Sequence, residues 1–467
     1  MRQIRITLLL FTLLVFTGQE KSNAQSFDTA YANILQNALN NIKSSNSLVG
    51  VSVAAFIPGQ GMWLGTSGIS AVGQDMTTEM VFGQGSITKN FISAAILQLC
   101  EADSLSLDDS LHKWLPSYNN IDSTVTIRQL LSHRSGIHSF TENNSFLSQL
   151  QVNWNRLWTP EEVLPYVLTP HFAPGTSFRY SNTNYTLLGM ILTQITGNTL
   201  SEEMHRRFYI PLGLNESYVE TQDSITAPFA HNWVDMGSNG TLDDIFHIPR
   251  TSVYSAMLAP GGFVSRPENL ARWMQALFQG QVLDSSYLNQ MLTFGAANIA
   301  GANGYGLGVK RYVFSGRTCW GHGGNIFGYS SVMMYYPQDS IVMVLMTNRD
   351  IEASAMGKSF MNTIINNNPV GITGITQELP SGFNLYQNYP NPFNPSTNIK
   401  FDIPKKSFVK LSVYNALGQQ MAILVNSSLE AGSITYEWNS ENFPSGVYFY
   451  KLQSENFSSI KKMMLIK

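Results

Sequence analysis

The chain has 467 residues, enough for roughly two to four domains, and its 43% hydrophobic content excludes wholesale disorder. Charged residues make up only 13%, and 28 basic against 31 acidic residues leave a net charge of −3. No basic block is present to neutralise phosphates, so nucleic acid is excluded as a partner.

The first residues, "MRQIRITLLLFTLLVFTGQEKSNAQS", read as a secretory signal over residues 1–24. Arg2 and Arg5 precede an apolar run from Ile6 to Thr17, and Ser22-Asn23-Ala24 offers small residues for cleavage. The run is shorter than the about 20 residues a spanning helix needs, and no later segment is long and apolar enough, so no stable membrane span is expected. The exported chain is expected to begin near Gln25. Only Cys100 and Cys319 exist, which makes no disulfide framework, and both are read as buried thiols.

"VGVSVAAF" (49–56) and "GMWLGT" (61–66), joined by "IPGQ", have the pattern of a β-hairpin. Residues 86 to about 280 are helical and loop-like, with Pro/Gly punctuation such as "APGTSFRYSN". Strand character returns in "YGLGVKRYVF", "SSVMMYYP" and "SIVMVLMTN"; the last is apolar on both faces, as a central covered strand should be. "IEASAMGKSFMNTIIN" closes with a helix. Strands near both ends therefore flank a large helical insert, which gives one α+β domain over 25–367, an antiparallel sheet flanked by helices. Residues 368–382 are Asn-, Gly-, Pro- and Thr-rich, a linker. From 383 to 467, short strand-like runs recur at regular spacing ("TNIKFDIP", "FVKLSVYN", "SITYEWNS", "GVYFYKLQS", "SIKKMMLIK"), as in a small all-β sandwich. In "VKLSV", Val409, Leu411 and Val413 alternate with Lys410 and Ser412, the pattern of a half-buried strand.

The chemistry is in "GQGSITKNFISAAILQLC". S-x-x-K alone carries little, since it also starts at Ser110, Ser407, Ser458 and Ser459. Around Ser86 the context differs. Ser86 opens a helix whose later positions (Phe91, Ile92, Ala95, Ile96, Leu99) are apolar almost all round, so the helix should be buried. Lys89 then stands one turn from Ser86 on the same face. Burial and the positive helix end both disfavour its charge, which makes a neutral amine able to take the serine proton. This activates a serine without a histidine triad. An α/β-hydrolase elbow is excluded, because Gln84 and Thr88 stand where G-x-S-x-G needs glycines.

"SITK", "YSN" and "HGG", in that order, resemble the serine β-lactamase and penicillin-binding-protein superfamily, closest to its class C branch with related DD-peptidases, D-aminopeptidases and esterases. "TIRQLLSHRSGI", "PGTSFRYSNTNYTLLGMIL", "APGGFVSRPENLARW" and "WGHGGNIFGYSSVMMYYP" extend the resemblance over residues 60 to 350. It implies a β-lactamase/transpeptidase-like fold with Ser86 as nucleophile and Lys89 as its proton partner. Tyr180 would pass a proton to the leaving group, and Asn182 would hold Lys89 and a substrate amide. His322 takes the place of the lysine of a K-T-G element, Ser86 and Asn325 backbone N–H groups would form the oxyanion hole, and Gly323 and Gly324 would let substrate approach the strand. Gly323 stands where many relatives carry a hydroxyl residue that helps hold a substrate carboxylate, which implies a preference for uncharged esters and amides over β-lactams and carboxylate-ended peptides.

The expected activity is a secreted serine hydrolase cleaving a small amide or ester. The alternatives are a class C type β-lactamase or D-Ala-D-Ala carboxypeptidase, and a catalytically silent protein binding penicillin or peptidoglycan fragments. The expected substrate is a small molecule or short peptide. No cofactor or metal is expected, since His133 and His138 lack a third ligand at suitable spacing. The "PGG" at 260–262 is read as a turn near the pocket. "FNLYQNYPNPFNPSTNIKFDIP", "VYNALGQQ", "SGVYFYKL" and the terminal "KKMMLIK" resemble the sorting domain of type IX secretion substrates, which implies secretion machinery as a partner and delivery to the cell surface or medium.

Overall fold

A computed structural model describes residues 27–369, 382–388, 390–429, 432–441, 443–454 and 457–467. The expected signal segment and most of the expected linker lie outside the described residues. The chain divides into two compact units, Met1–Asn368 and Pro369–Lys467.

The first unit is built on a nine-stranded sheet whose strands come from both ends of the unit. The hairpin Gly50–Ile57 and Gly61–Ala71 adds to strand Ile341–Thr347, with Val53 opposite Leu345. Ile341–Thr347 pairs on its other side with Tyr329–Tyr336, and next come Arg317–Ile326 and Lys310–Phe314. Every residue of Ile341–Thr347 is buried, as its two-sided apolar sequence requires. The sheet continues through Ala302–Tyr305 and Gly295–Ile299, two strands that the sequence pattern does not announce.

Two helices cover one face. Thr29–Ser45 places Tyr31, Leu35, Leu39 and Ile42 on one side at helical spacing, and Ser354–Asn367 answers with Phe360, Met361 and Ile364. The Tyr31 hydroxyl donates to the Ile364 carbonyl at 2.7 Å, tying the two helices together. The helical insert covers the other face. There, helix Thr88–Glu101 is buried on all sides apart from Gln98 and Glu101, with Phe91 stacked on Trp273 at 4.0 Å between ring centres. Asn90, inside this apolar shell, accepts from the Trp273 indole at 2.7 Å and donates to the Gly308 carbonyl at 3.2 Å, so its polar atoms are satisfied. Cys100 and Cys319 are both free and buried.

The second unit holds a three-stranded and a four-stranded antiparallel sheet around its own core, which includes Phe401, Leu411, Val413, Trp438, Tyr450 and Leu452. Strand Gln420–Leu429 is additional to the runs legible in sequence. Val409, Leu411 and Val413 are buried as expected, but so is Ser412, at 1% exposure. No helix among the described residues is long and apolar enough to cross a membrane.

Candidate active site

Ser86 sits in a single 3₁₀ turn, Gly85–Ile87, that runs into helix Thr88–Glu101. From Met80 to Leu97 it is the one residue that is not buried. Two glycines seat this turn on strand Arg317–Ile326. Gly85 has φ +54°, and a Cβ there would lie 2.6 Å from the Asn325 nitrogen. A Cβ on Gly324 would lie 2.6 Å from the Ser86 nitrogen and 2.2 Å from the Gln84 carbonyl oxygen. Any side chain at either position would push the turn off the strand. The turn that carries the Ser86 nitrogen thereby lies close against the strand at Asn325, while the Asn325 side chain is turned aside to Ser330 and Asp350, at 2.7 and 2.8 Å.

Lys89 is fully buried, and its Nζ has three oxygen neighbours: Ser86 Oγ at 3.0 Å, Asn182 Oδ1 at 2.8 Å and the Pro260 carbonyl at 2.7 Å. The amide and the carbonyl oxygens can only accept, so two N–H bonds are committed to them. Burial, and then the charge of Lys310, pull the Lys89 pKa well below its ordinary value. A neutral Lys89 has only two N–H bonds, and its lone pair is left facing the Ser86 hydroxyl. Pro260, expected in a turn, instead lies in the short helix Leu258–Gly261, and its carbonyl orients the amine.

Asn182 begins helix Asn182–Thr196; its Nδ2 donates to Thr141 Oγ1 at 2.9 Å, which fixes Oδ1 toward Lys89. Tyr180 lies just before that helix, its ring centre 4.8 Å from Lys89 Nζ. The ring is partly exposed, whereas the hydroxyl is occluded and has no hydrogen-bond partner among the described residues. Its polar neighbour is the Ser86 hydroxyl, and burial raises its pKa well above that of a free phenol. Such a phenol keeps its proton and can only lend it. His133 backs Tyr180, with ring centres 4.1 Å apart, and accepts from the Ser181 N–H at 3.2 Å.

His322 differs from its expected role. It is fully buried, and both ring nitrogens are occupied: Nδ1 donates to the Gly323 carbonyl at 2.6 Å, and Nε2 accepts from the Tyr305 hydroxyl at 3.0 Å. Burial and the charges of Lys310 and Lys89 hold its pKa well below that of free histidine, so it is neutral. Both bonds brace the strand edge. Gly323 points away from the Ser86 side; a Cβ there would stand 3.3 Å from the Ser331 carbonyl oxygen and 3.7 Å from the Tyr312 hydroxyl.

Three residues near the site went unread in the sequence: Tyr305, Lys310 and Tyr312. Lys310 is only 4% exposed, its Nζ lies 6.0 Å from the centre of the Tyr180 ring, and burial pulls its pKa down to about 8. The signal was the alternation in "VKRYV", where Lys310 and Tyr312 are buried and Arg311 lies between them, half-buried.

His138 does have companions that the spacing hid. His138, Glu142 and His171 place their ligand atoms within 4.8 Å of one another. Arg179 already pairs with Glu142 at 2.9 Å and supplies the positive charge there. A cavity of about 680 Å³ is lined by Pro260 and Met190 among others, but by neither Ser86 nor Lys89.

A family profile described as Beta-lactamase matches residues 33–362, and one described as Secretion system C-terminal sorting domain matches 387–467. The D-amino acid amidase of Ochrobactrum anthropi SV3, solved with L-phenylalanine amide, superposes with a TM-score of 0.66 at 24% identity, over 73% of this chain and 100% of that one. A D-stereospecific amidohydrolase from Streptomyces sp. is 30% identical with a TM-score of 0.60, over 68% and 94% of the two chains. Penicillin-binding protein 4* of Bacillus subtilis (strain 168) is 25% identical over 289 residues, which span 59% of this chain and 62% of the length of that relative.

Proposed function

The chain belongs to the beta-lactamase family, with a C-terminal secretion sorting domain, and from that premise we propose that it is an exported serine hydrolase acting through an acyl-enzyme on Ser86. The sorting domain indicates delivery to the cell surface or beyond, and we infer from their sequence that residues 1–24 are the signal that starts the route. The observation that carries the reading is the environment of Lys89: two N–H bonds committed to Asn182 and Pro260, and a lone pair left for Ser86.

In the proposed reaction Lys89 takes the Ser86 proton as Oγ attacks the substrate carbonyl. The carbonyl oxygen gains charge against the Ser86 and Asn325 N–H groups. When the C–N or C–O bond breaks, Tyr180 gives its proton to the leaving group and recovers one from Lys89. Water then attacks the acyl carbon, its proton passing to the same amine, which returns it to Ser86 Oγ as the acyl–oxygen bond breaks. Asn182 holds the amine in place. The solved D-amino acid amidase and D-stereospecific amidohydrolase support amides of D-amino acids as the substrate class to test first.

The test is a hydrolysis screen over acyl esters, D- and L-amino acid amides, D-Ala-D-Ala peptides and a cephalosporin, with Ser86→Ala as control. Turnover of an amide or ester that disappears in Ser86→Ala is expected. Binding without turnover in every class would make the chain a silent receptor on the same fold.

A further inference from the structure

Residues 138–142 strap the start of helix Asn182–Thr196. Ser139 Oγ accepts from the Asn182 N–H at 3.0 Å, and Thr141 Oγ1 accepts from Asn182 Nδ2 at 2.9 Å. The His138 carbonyl accepts from the Thr183 hydroxyl at 2.8 Å. The two ends of the strap, His138 and Glu142, meet His171, whose own N–H donates to the Gly136 carbonyl at 2.8 Å. Nε2 of His138 and Nε2 of His171 stand 3.8 and 3.6 Å from the Glu142 Oε2, too far for hydrogen bonds. His138 is only 7% exposed, yet its Nε2 has no hydrogen-bond partner among the described residues and is aimed at this gap. Its Nδ1 meets the Leu168 N–H at 3.5 Å, a contact so long that it holds the ring weakly.

We propose that His138, Glu142 and His171 form a zinc site that clamps the strap carrying Asn182. Two imidazoles and a carboxylate suit zinc, whereas magnesium and calcium call for oxygen ligands. Ligand atoms around a tetrahedral zinc lie about 3.4 Å apart, so the two nitrogens need to close on the carboxylate by only about half an ångström or less. Three protein ligands leave the fourth position to water. Arg179 is the competitor: its Nη2 lies 2.9 Å from the same Oε2, on a half-exposed side chain that can turn to solvent. The site takes no part in acyl transfer and stands whether or not Ser86 is a nucleophile.

The full chain, stripped with a chelator, is titrated with zinc chloride against a chromophoric chelator, and its thermal unfolding is followed alongside. One zinc per chain is expected, with an unfolding midpoint that rises as zinc is added. Losing a group that merely orients a metal ligand costs about 10–100-fold in affinity, so His171→Gln and Glu142→Gln should each cost at least that and abolish the shift. Both side chains are more exposed than His138, so these variants should fold even if His138→Gln does not. Arg179→Gln should tighten zinc binding, because it frees the carboxylate; a role for Arg179 confined to its ion pair predicts no such gain. No saturable binding overturns the site. So does binding that survives His171→Gln and Glu142→Gln, which would mark adventitious zinc on other histidines, or an affinity that Arg179→Gln leaves unchanged or weakens.

Discussion

The Tyr305 hydroxyl donates to His322 Nε2 at 3.0 Å, and that bond decides what His322 can do. With Nδ1 bound to the Gly323 carbonyl, the histidine is spent on the protein. Tyr305→Phe would leave Nε2 an unsatisfied buried acceptor, at a cost of about 1–3 kcal/mol in stability. Since neither residue is placed on the substrate, kcat/KM should fall less than about tenfold, whereas Tyr180→Phe should cost on the order of a hundred-fold. Urea unfolding and steady-state kinetics on the two variants check this; a larger kinetic loss in Tyr305→Phe would put His322 back in contact with substrate.

Lys89→Ala should reduce acylation by on the order of a hundred-fold or more, the scale of general base catalysis. Lys89→Arg should not restore it, because a guanidinium does not give up its proton near neutral pH. An active Lys89→Arg enzyme, measured by the burst of acyl-enzyme, would mean that Lys89 acts as a fixed charge.

Burial of His133 and His322 makes stability depend on pH. Both have folded-state pKa values held well below 6.5, first by burial and then by the charges of Lys89 and Lys310. In the unfolded chain they titrate near 6.5, so below that pH the unfolded state binds more protons. The stabilisation is complete above about pH 6.5 and declines as pH falls, by up to about 1.4 kcal/mol per pH unit for each histidine. Urea unfolding of the full chain at pH 7.5, 6.5 and 5.5 should show the decline, with a shallower slope in His133→Gln. A profile that is flat over this range would contradict the neutral buried histidines.

The two units have separate cores, one reaching from Tyr31 to Ile364 and one from Leu385 to Leu465. A chain ending at Asn368 should therefore fold and keep the full hydrolase activity in vitro. Its thermal unfolding and kcat/KM compared with the full chain give the check; loss of folding would show that the sandwich is integral to the hydrolase.

Much of the site was legible because its residues carry local signals. Ser86 and Lys89 share one face of a helix too apolar to be exposed, and the two glycines at 323 and 324 mark a strand that something approaches closely. The role of His322 was not legible, because it depends on Tyr305, which shares its strand pairing only through the folded sheet. Apart from the alternation of its strand, Lys310 carries no local signal in sequence, and its 4% exposure is set by packing in the folded sheet. Helix Thr29–Ser45 could have been read from the spacing of Tyr31, Leu35, Leu39 and Ile42, whereas the edge strand Gly295–Ile299 and its neighbour Ala302–Tyr305 are short and glycine-bearing, with little pattern to find.

The most direct measurement of the central claim is mass spectrometry of the intact protein, followed by its peptides, after brief exposure to an acylating substrate or a serine-directed fluorophosphonate. One adduct per chain is expected, on the peptide containing Ser86, absent in Ser86→Ala and much slower in Lys89→Ala. An adduct that persists in Ser86→Ala, or that maps to another residue, would contradict the account.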